Sequence, residues 1–211
     1  MKYNELTFQG RNAVLEAFRS GKTIDKLFIL DGCQDGPVKS IVREARKTDV
    51  IINYVDKERL DRLAGTGHHQ GVVAIGAAYE YAEVDDILDA ARNKGEAPFI
   101  FILDEIEDPH NLGAIIRTAN LAGAHGVIIP KRRAVGLTAT VAKTSAGAIN
   151  YTPVAKVTNI AQTIEELKKQ GLWFVCADMG GETMYNLNLT GPIGLVIGNE
   201  GNGVSRLVKD K

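Results

Sequence analysis

The sequence predicts an α/β protein, a small N-terminal α/β layer followed by a block built on a parallel sheet, on three grounds. Short apolar runs alternate with segments of helical periodicity along the whole chain. In the later half the runs, among them FIFILD (99–104) and IGLVIG (193–198), are apolar at nearly consecutive positions, as in strands covered on both faces. Between the halves lies an acidic stretch that ends in Gly95 and Pro98.

Gly10-Arg11-Asn12 leads into AVLEAFRS, whose Val14, Leu15 and Phe18 share a helical face before Gly21 stops it. KLFIL (26–30) is a strand closed by the Asp31-Gly32 turn. Pro37 opens a helix with Val38, Ile41, Val42 and Ala45 on one face. VIINYV (50–55) is the next strand, DKERLDRLAG a short helix ending at Gly65, and GVVAIGA (71–77) a further strand. Residues 77–97 read as an acidic linker holding a short helix at 84–92. Beyond it, a strand at 99–104 precedes a helix at 111–122, for which Asn111 is the expected N-cap. A strand at 126–129, a helix near 138–146 and a strand at 151–155 follow. Thr158 is the expected cap of a helix over 159–170, and strands at 173–177 and 193–198 complete the block. The expected domains are 1–76, a linker at 77–97, and 98–211.

The 211 residues are 45% hydrophobic and 24% charged, which excludes disordered and fibrous classes. No apolar run approaches the roughly 18 residues of a membrane helix. MKYNELTFQG lacks the apolar core of a signal peptide, so a cytoplasmic protein with no membrane contact is expected. The net charge of −1 hides a partition: 12 Lys/Arg against 10 Asp/Glu in residues 1–76, 2 against 6 in 77–97, and 11 against 10 in 98–211. Two mildly basic blocks flank an acidic segment, which permits RNA on part of the surface. Cys33 and Cys176 lie far apart without CxxC context, and His68-His69 lacks partners at metal spacing. Neither a disulfide framework nor a metal site is expected.

Three segments place unusual residues at strand ends, where an open α/β sheet binds ligands. In LDEIEDPHNLGAIIRTANLAGAHGVIIP (103–130), Arg117 stands among small apolar residues and presents a planar guanidinium suited to a phosphate. Its spacing equally fits an ion pair with Asp104 or Glu107. The cluster of Asp104, Glu105, Glu107 and Asp108 fits a turn with helix-dipole complementarity better than a Mg²⁺ site. In KRRAVGLTATVAKTSAGAINYTPV (131–154), Lys131-Arg132-Arg133 is the strongest basic run, by composition a solvated loop. Thr144-Ser145-Ala146-Gly147 is small enough for another backbone to approach. In GPIGLVIGNEGNGVSRL (191–207), glycines spaced G-x-x-G-x-G follow a strand. This is neither the dinucleotide fingerprint nor a phosphate loop, but its backbone groups suit a ligand such as an adenosine.

Taken together, DPHNLGAIIRTANLAGAHGVIIP resembles the first motif of the SpoU/TrmH family of ribose 2′-O-methyltransferases, part of the SPOUT superfamily. GLVIGNEGNGVS resembles its second motif and KTSAGAINYTPV the segment between them. GRNAVLEAF and HHQGVVA resemble the family's N-terminal substrate-binding domain, so the likeness covers essentially the whole chain. The layout is most similar to enzymes that methylate a guanosine ribose in 23S ribosomal RNA. The resemblance implies an α/β-knot methyltransferase domain that packs as a homodimer. It places S-adenosylmethionine, the methyl donor, against the backbone at Ala177, Ile197 and Gly198, where a Cβ on Gly198 would crowd the donor. Arg117 matches the catalytic arginine, and Asn111 and Glu200 would hold its geometry. Arg133 and Arg11 are the implied RNA contacts. The family's third motif, an Ile-Pro-Met turn followed by Ser-Leu-Asn and a final helix, has no counterpart before Lys211. The natural chain is therefore expected to continue past Lys211, leaving this C-terminus truncated.

A ribose hydroxyl must lose its proton as it attacks a sulfonium methyl. A guanidinium stays charged at neutral pH, so Arg117 is expected to clamp a phosphate rather than act as a free base. The competing readings are a tRNA ribose methyltransferase, an rRNA methyltransferase conferring antibiotic resistance, and a non-catalytic RNA-binding protein. An oxidoreductase is disfavoured by the glycine spacing.

Overall fold

The computed structural model describes residues 6–65 and 67–211, so the part of the signal-peptide reading that concerns residues 1–5 lies outside the described residues. The chain divides into two compact units, Met1–Glu80 with Gly136–Ala139, and Tyr81–Val135 with Thr140–Lys211. Among the described residues no helix is long and apolar enough to cross a membrane.

The first unit runs β1 (Leu6–Gln9), α1 (Arg11–Arg19), β2 (Ile24–Leu30), α2 (Gly36–Lys47), β3 (Ile51–Val55), α3 (Lys57–Ala64) and β4 (Val72–Gly76). Its sheet has the order β1-β4-β2-β3, antiparallel except for the β2–β3 pair. The alternation of β2 sorts its side chains to two faces. Leu27 and Ile29 pack with Val14, Ala17, Val38, Ile41 and Ala45 of α1 and α2, while Phe28 packs with Leu60 and Ala64 of α3. Asp35 caps α2 by accepting from the Val38 N–H at 3.2 Å, and Asp56 caps α3 by accepting from the Arg59 N–H at 2.7 Å. The sequence reading passes over β1, because LTFQ carries no apolar run. It is a strand through its antiparallel pairing with β4, a long-range event.

The second unit contains α4 (Val84–Lys94), β5 (Phe99–Leu103), α5 (Pro109–Leu121), β6 (Gly126–Pro130), most of α6 (Ala139–Thr144), β7 (Val154–Val157), α7 (Ile160–Lys169), β8 (Trp173–Ala177), β9 (Ile193–Ile197) and α8 (Arg206–Lys209). All pairs in its sheet, of order β7-β6-β5-β9-β8, are parallel. One face is covered by Ile87 and Leu88 of α4, Ile160, Ile164 and Leu167 of α7, and Val208 of α8.

Helix α4 lies within the segment expected as a linker, and it is a structural part of this unit. Glu83 and Asp86 form a capping box and Gly95 ends the helix in the left-handed region. Ile87 lies so close to Gly126 of β6 that a Cβ there would stand 2.6 Å from it. Two expected caps are corrected. Asp108, not Asn111, caps α5 by accepting from the His110 N–H at 2.7 Å, with Pro109 inside the first turn and Asn111 in the helix proper. Asn159, not Thr158, caps α7 by accepting from the Gln162 N–H at 3.1 Å. The strand expected from residue 151 begins at Val154, after a short 3₁₀ turn at Ala148–Asn150.

Candidate functional site

The site is built where β5 and β9 end side by side at the middle of the parallel sheet. Glu105, just past β5, has φ 59°, left-handed backbone that a glutamate rarely adopts. Its conformation is held by its neighbours. Asp104, 5% exposed, accepts from the Ser205 N–H at 2.7 Å, and its own N–H donates to the Ile197 carbonyl at 2.8 Å. The Asn199 amide donates to the Glu105 carbonyl at 2.9 Å and accepts from the Gly201 N–H at 2.8 Å. The loop from Asn199 to Gly203 is closed on itself by reciprocal backbone bonds between those two residues at 3.0 and 2.8 Å. The Asn111 amide, in the first turn and a half of α5, donates to Glu200 Oε1 at 2.9 Å. Three links thus stitch the first and second motif segments together, and they join residues some ninety to a hundred positions apart: 101, 94 and 89.

Arg117 projects from α5 and is exposed. Among the described residues it makes no ion pair, so the alternative pairing with Asp104 or Glu107 is not what the fold forms; Asp104 is engaged by Ser205. Asn111 and Glu200, two of the three residues expected to act together, are brought into contact. Arg117 is on the same helix as Asn111, six residues further along.

Ala177 and Ile197 end neighbouring strands in direct register, and Gly198 follows Ile197. Ala177 is exposed, and its methyl side chain leaves backbone against which a flat, adenosine-like group fits. The reason for the glycine differs from the expected one. A Cβ on Gly198 would run into the backbone of Gly203 and Val204, so the residue is required by the chain's own loop before any ligand is considered. Asp178, after β8, pairs with Lys209 of α8. The Lys209 ammonium holds the Asp178 carboxyl below its ordinary value, and the carboxylate raises the lysine in turn. Burial pushes the neighbouring Cys176 thiol up.

The two implied RNA contacts are differently placed. Arg133 is exposed with φ 53°, and its guanidinium meets Glu105 Oε1 at 2.9 Å, a hydrogen bond that raises its pKa. Arg11, in the first unit, is drawn into a structural tie. It pairs with Asp35 at 2.5 Å and donates from Nε to the Gln70 carbonyl at 3.2 Å, linking α1 to the α2 cap and to the loop before β4. Its guanidinium is committed to its own fold. Gly113 of α5 meets the Thr144-Ser145 stretch so closely that a Cβ would enter the Thr144 side chain, the close approach that small residues there allow. His69 accepts from the Gly71 N–H and faces Asp61 at 3.0 Å, a buried hydrogen-bonded histidine. Among the described residues no group of three or more His, Cys, Asp or Glu is placed to hold a metal ion. Sequence reasoning missed Asn199 as a tie and weighed Asp104 only as an ion-pair or Mg²⁺ partner; the signal was a polar residue at each strand end.

Comparison with known proteins adds a family. Residues 98–211 match the SpoU rRNA Methylase family, and residues 9–82 match the domain described as RNA 2′-O ribose methyltransferase substrate binding. The chain is 52% identical over 203 residues to YacO of Bacillus subtilis, named as a TrmH family tRNA/rRNA methyltransferase, covering 96% of this chain and 81% of that protein. A Staphylococcus haemolyticus protein of the same description is 47% identical over 208 residues, 98% of this chain and 83% of its own. Among solved structures, the SpoU methyltransferase AviRb of Streptomyces viridochromogenes, crystallised with AdoMet, superposes with a TM-score of 0.55 at 20% identity, over 98% of this chain and 77% of that one. Likeness at that identity speaks for the fold. With both units matched and half of nearly all positions shared with the Bacillus relative, the chain belongs to the SpoU/TrmH family of RNA methyltransferases.

Proposed function

We propose that this protein, acting in the cytoplasm as a homodimer, transfers the methyl group of S-adenosylmethionine to a ribose 2′-hydroxyl of RNA, with a guanosine of 23S ribosomal RNA as its target. The carrying observation is the Asn111–Glu200 hydrogen bond on the helix that also carries the exposed, unpaired Arg117. Ala177, Ile197 and Gly198 would hold S-adenosylmethionine, which would supply an electrophilic sulfonium methyl. Arg117 offers its fork to a phosphate of the target nucleotide and thereby orients the neighbouring hydroxyl. Being charged at neutral pH, it leaves the hydroxyl proton to the phosphate or to solvent. Glu200 and Asn111 hold the loop and the helix turn in fixed relation, so the strand ends keep their spacing when RNA arrives. Arg133, exposed but paired with Glu105, is the further RNA contact that the family resemblance implies. The exposed Met179, Met184 and Tyr185 after β8 are apolar surface of the kind a second copy covers, which supports the dimer.

The test is transfer of labelled methyl from S-adenosylmethionine to purified 23S rRNA and, separately, to tRNA, followed by mapping of the modified ribose. Transfer to 23S rRNA alone, lost in Arg117→Ala, is expected. Arg117→Lys is expected to be nearly as inactive, because an ammonium lacks the planar fork. Near-wild-type turnover by the lysine variant overturns the clamp. The relatives' names include tRNA beside rRNA, and label in tRNA alone would make that the substrate. Sedimentation of the purified protein reads the dimer directly.

A further inference from the structure

The first unit carries a groove of about 640 Å³ between α2 and the edge strand β3. Four cations of α2 line it: Lys39, Arg43, Arg46 and Lys47. Their spacing of i, i+4, i+7 and i+8 keeps them within about 100° of the helix circumference, a single stripe. Lys47 pairs with Glu44 at 2.8 Å, whereas Lys39, Arg43 and Arg46 are exposed and form no ion pair among the described residues. Among the described residues no acidic side chain lines the groove. The groove is also lined by Tyr54, 54% exposed on the edge strand β3, so its ring face is open to a ligand.

A row of unpaired cations beside an exposed ring is the pairing of groups that a single-stranded nucleic acid needs: charges to follow the phosphates and a flat face on which a base stacks. An acidic protein segment would use the charges but has no call on the ring, and a duplex hides its base faces. We propose that this groove binds a single-stranded segment of the substrate RNA, with Arg43, Arg46 and Lys39 on successive phosphates and one base stacked on Tyr54. The proposal rests on the RNA-methyltransferase reading and names where on the first unit the RNA lies. It also relieves Arg11 of that role, since Arg11 is held by Asp35 and Gln70.

The experiment measures binding of the full chain to a fluorescein-labelled oligouridylate of about 12 nucleotides and to an RNA duplex of the same length, across a salt series. Each phosphate contact on a single strand contributes about 0.7 to the slope of log affinity against log salt, so the triple variant K39Q/R43Q/R46Q is expected to flatten the slope by about 2. Tyr54→Ala is expected to weaken oligouridylate binding roughly 5- to 150-fold without changing the slope, and Tyr54→Phe to leave it intact. Lys169→Gln, on α7, is the charge control and should change nothing. An unchanged slope in the triple variant, or a Tyr54→Ala affinity within twofold of wild type, overturns the groove. Preference for the duplex overturns it as well. A wild-type chain that ignores oligouridylate but methylates ribosomal RNA refutes the groove alone, whereas one that does neither refutes the methyltransferase reading with it.

Discussion

Glu200 and Asn111 are single side chains on different segments, and their 2.9 Å contact is exposed, so its worth to global stability is small. Its value is positional. If the pair acts as a unit, Asn111→Ala and Glu200→Ala should each lower kcat/KM for methyl transfer, and the double variant should lose little more than the worse single one. Fully additive losses would show that the two act separately. Gly198 makes the opposite kind of residue-level statement. Its missing side chain is filled by the backbone of Gly203 and Val204, so Gly198→Ala is expected to cost about 1–3 kcal/mol of stability with no donor present. Denaturant unfolding of the bare protein checks this. Unchanged stability with weaker donor binding would return the glycine to the role that the family resemblance suggests.

Among the elements, α4 best shows what the sequence conceals. The six acidic residues of 77–97, three of them on the helix itself, give the segment the look of a solvated connector, while Ile87 and Leu88 are buried against the parallel sheet. Gly126→Ala should destabilise the protein because the added methyl meets Ile87, and Ile87→Ala should cost about 2–5 kcal/mol by leaving a cavity. Combined, the two should be less damaging than their sum, since each makes room for the other. A strictly additive pair, measured by chemical denaturation, would mean that α4 does not bear on β6. β5 and β6 are legible because runs such as FIFIL admit one environment, with water on neither face. WFVCA, which reads as an equally buried strand, instead forms the exposed edge strand β8, because its outer side has no neighbour among the described residues. The caps were less legible. Asp108 and Asn111 are both good capping types, and only Pro109, which favours the first helical turn, separates them. β1 was invisible because its reason for being a strand lies in β4, over sixty residues away. At the site, Asn111, Glu200 and Arg117 could be named from their motifs. The commitment of Arg11 to Asp35 and Gln70 could not, because it needs three segments in place at once.

The molecule as a whole contains two cores, one around Leu27 and Ile41 in the first unit and one around Ile100 and Ile128 in the second. Leu27→Ala, at a fully buried site, is expected to cost about 2–5 kcal/mol. Hydrogen exchange should show that loss in the amides of β2 and β4, with those of β5 and β9 still protected; equal loss in both would make the chain a single cooperative block. The order of the second sheet carries a consequence for how the protein is made. β9 follows β8 in sequence but lies between β5 and β8, and among the described residues β8 pairs with no other strand. Until β9 has left the ribosome, β5 presents an open edge and β8 has nothing to pair with, the state in which strands of different copies find each other. The links from Asp104, Glu105 and Asn111 to the loop after β9 then close only once that loop has been made. Loops of that length close slowly relative to local helices, so the site closes well after the helices and strands between β5 and β9 have left the ribosome.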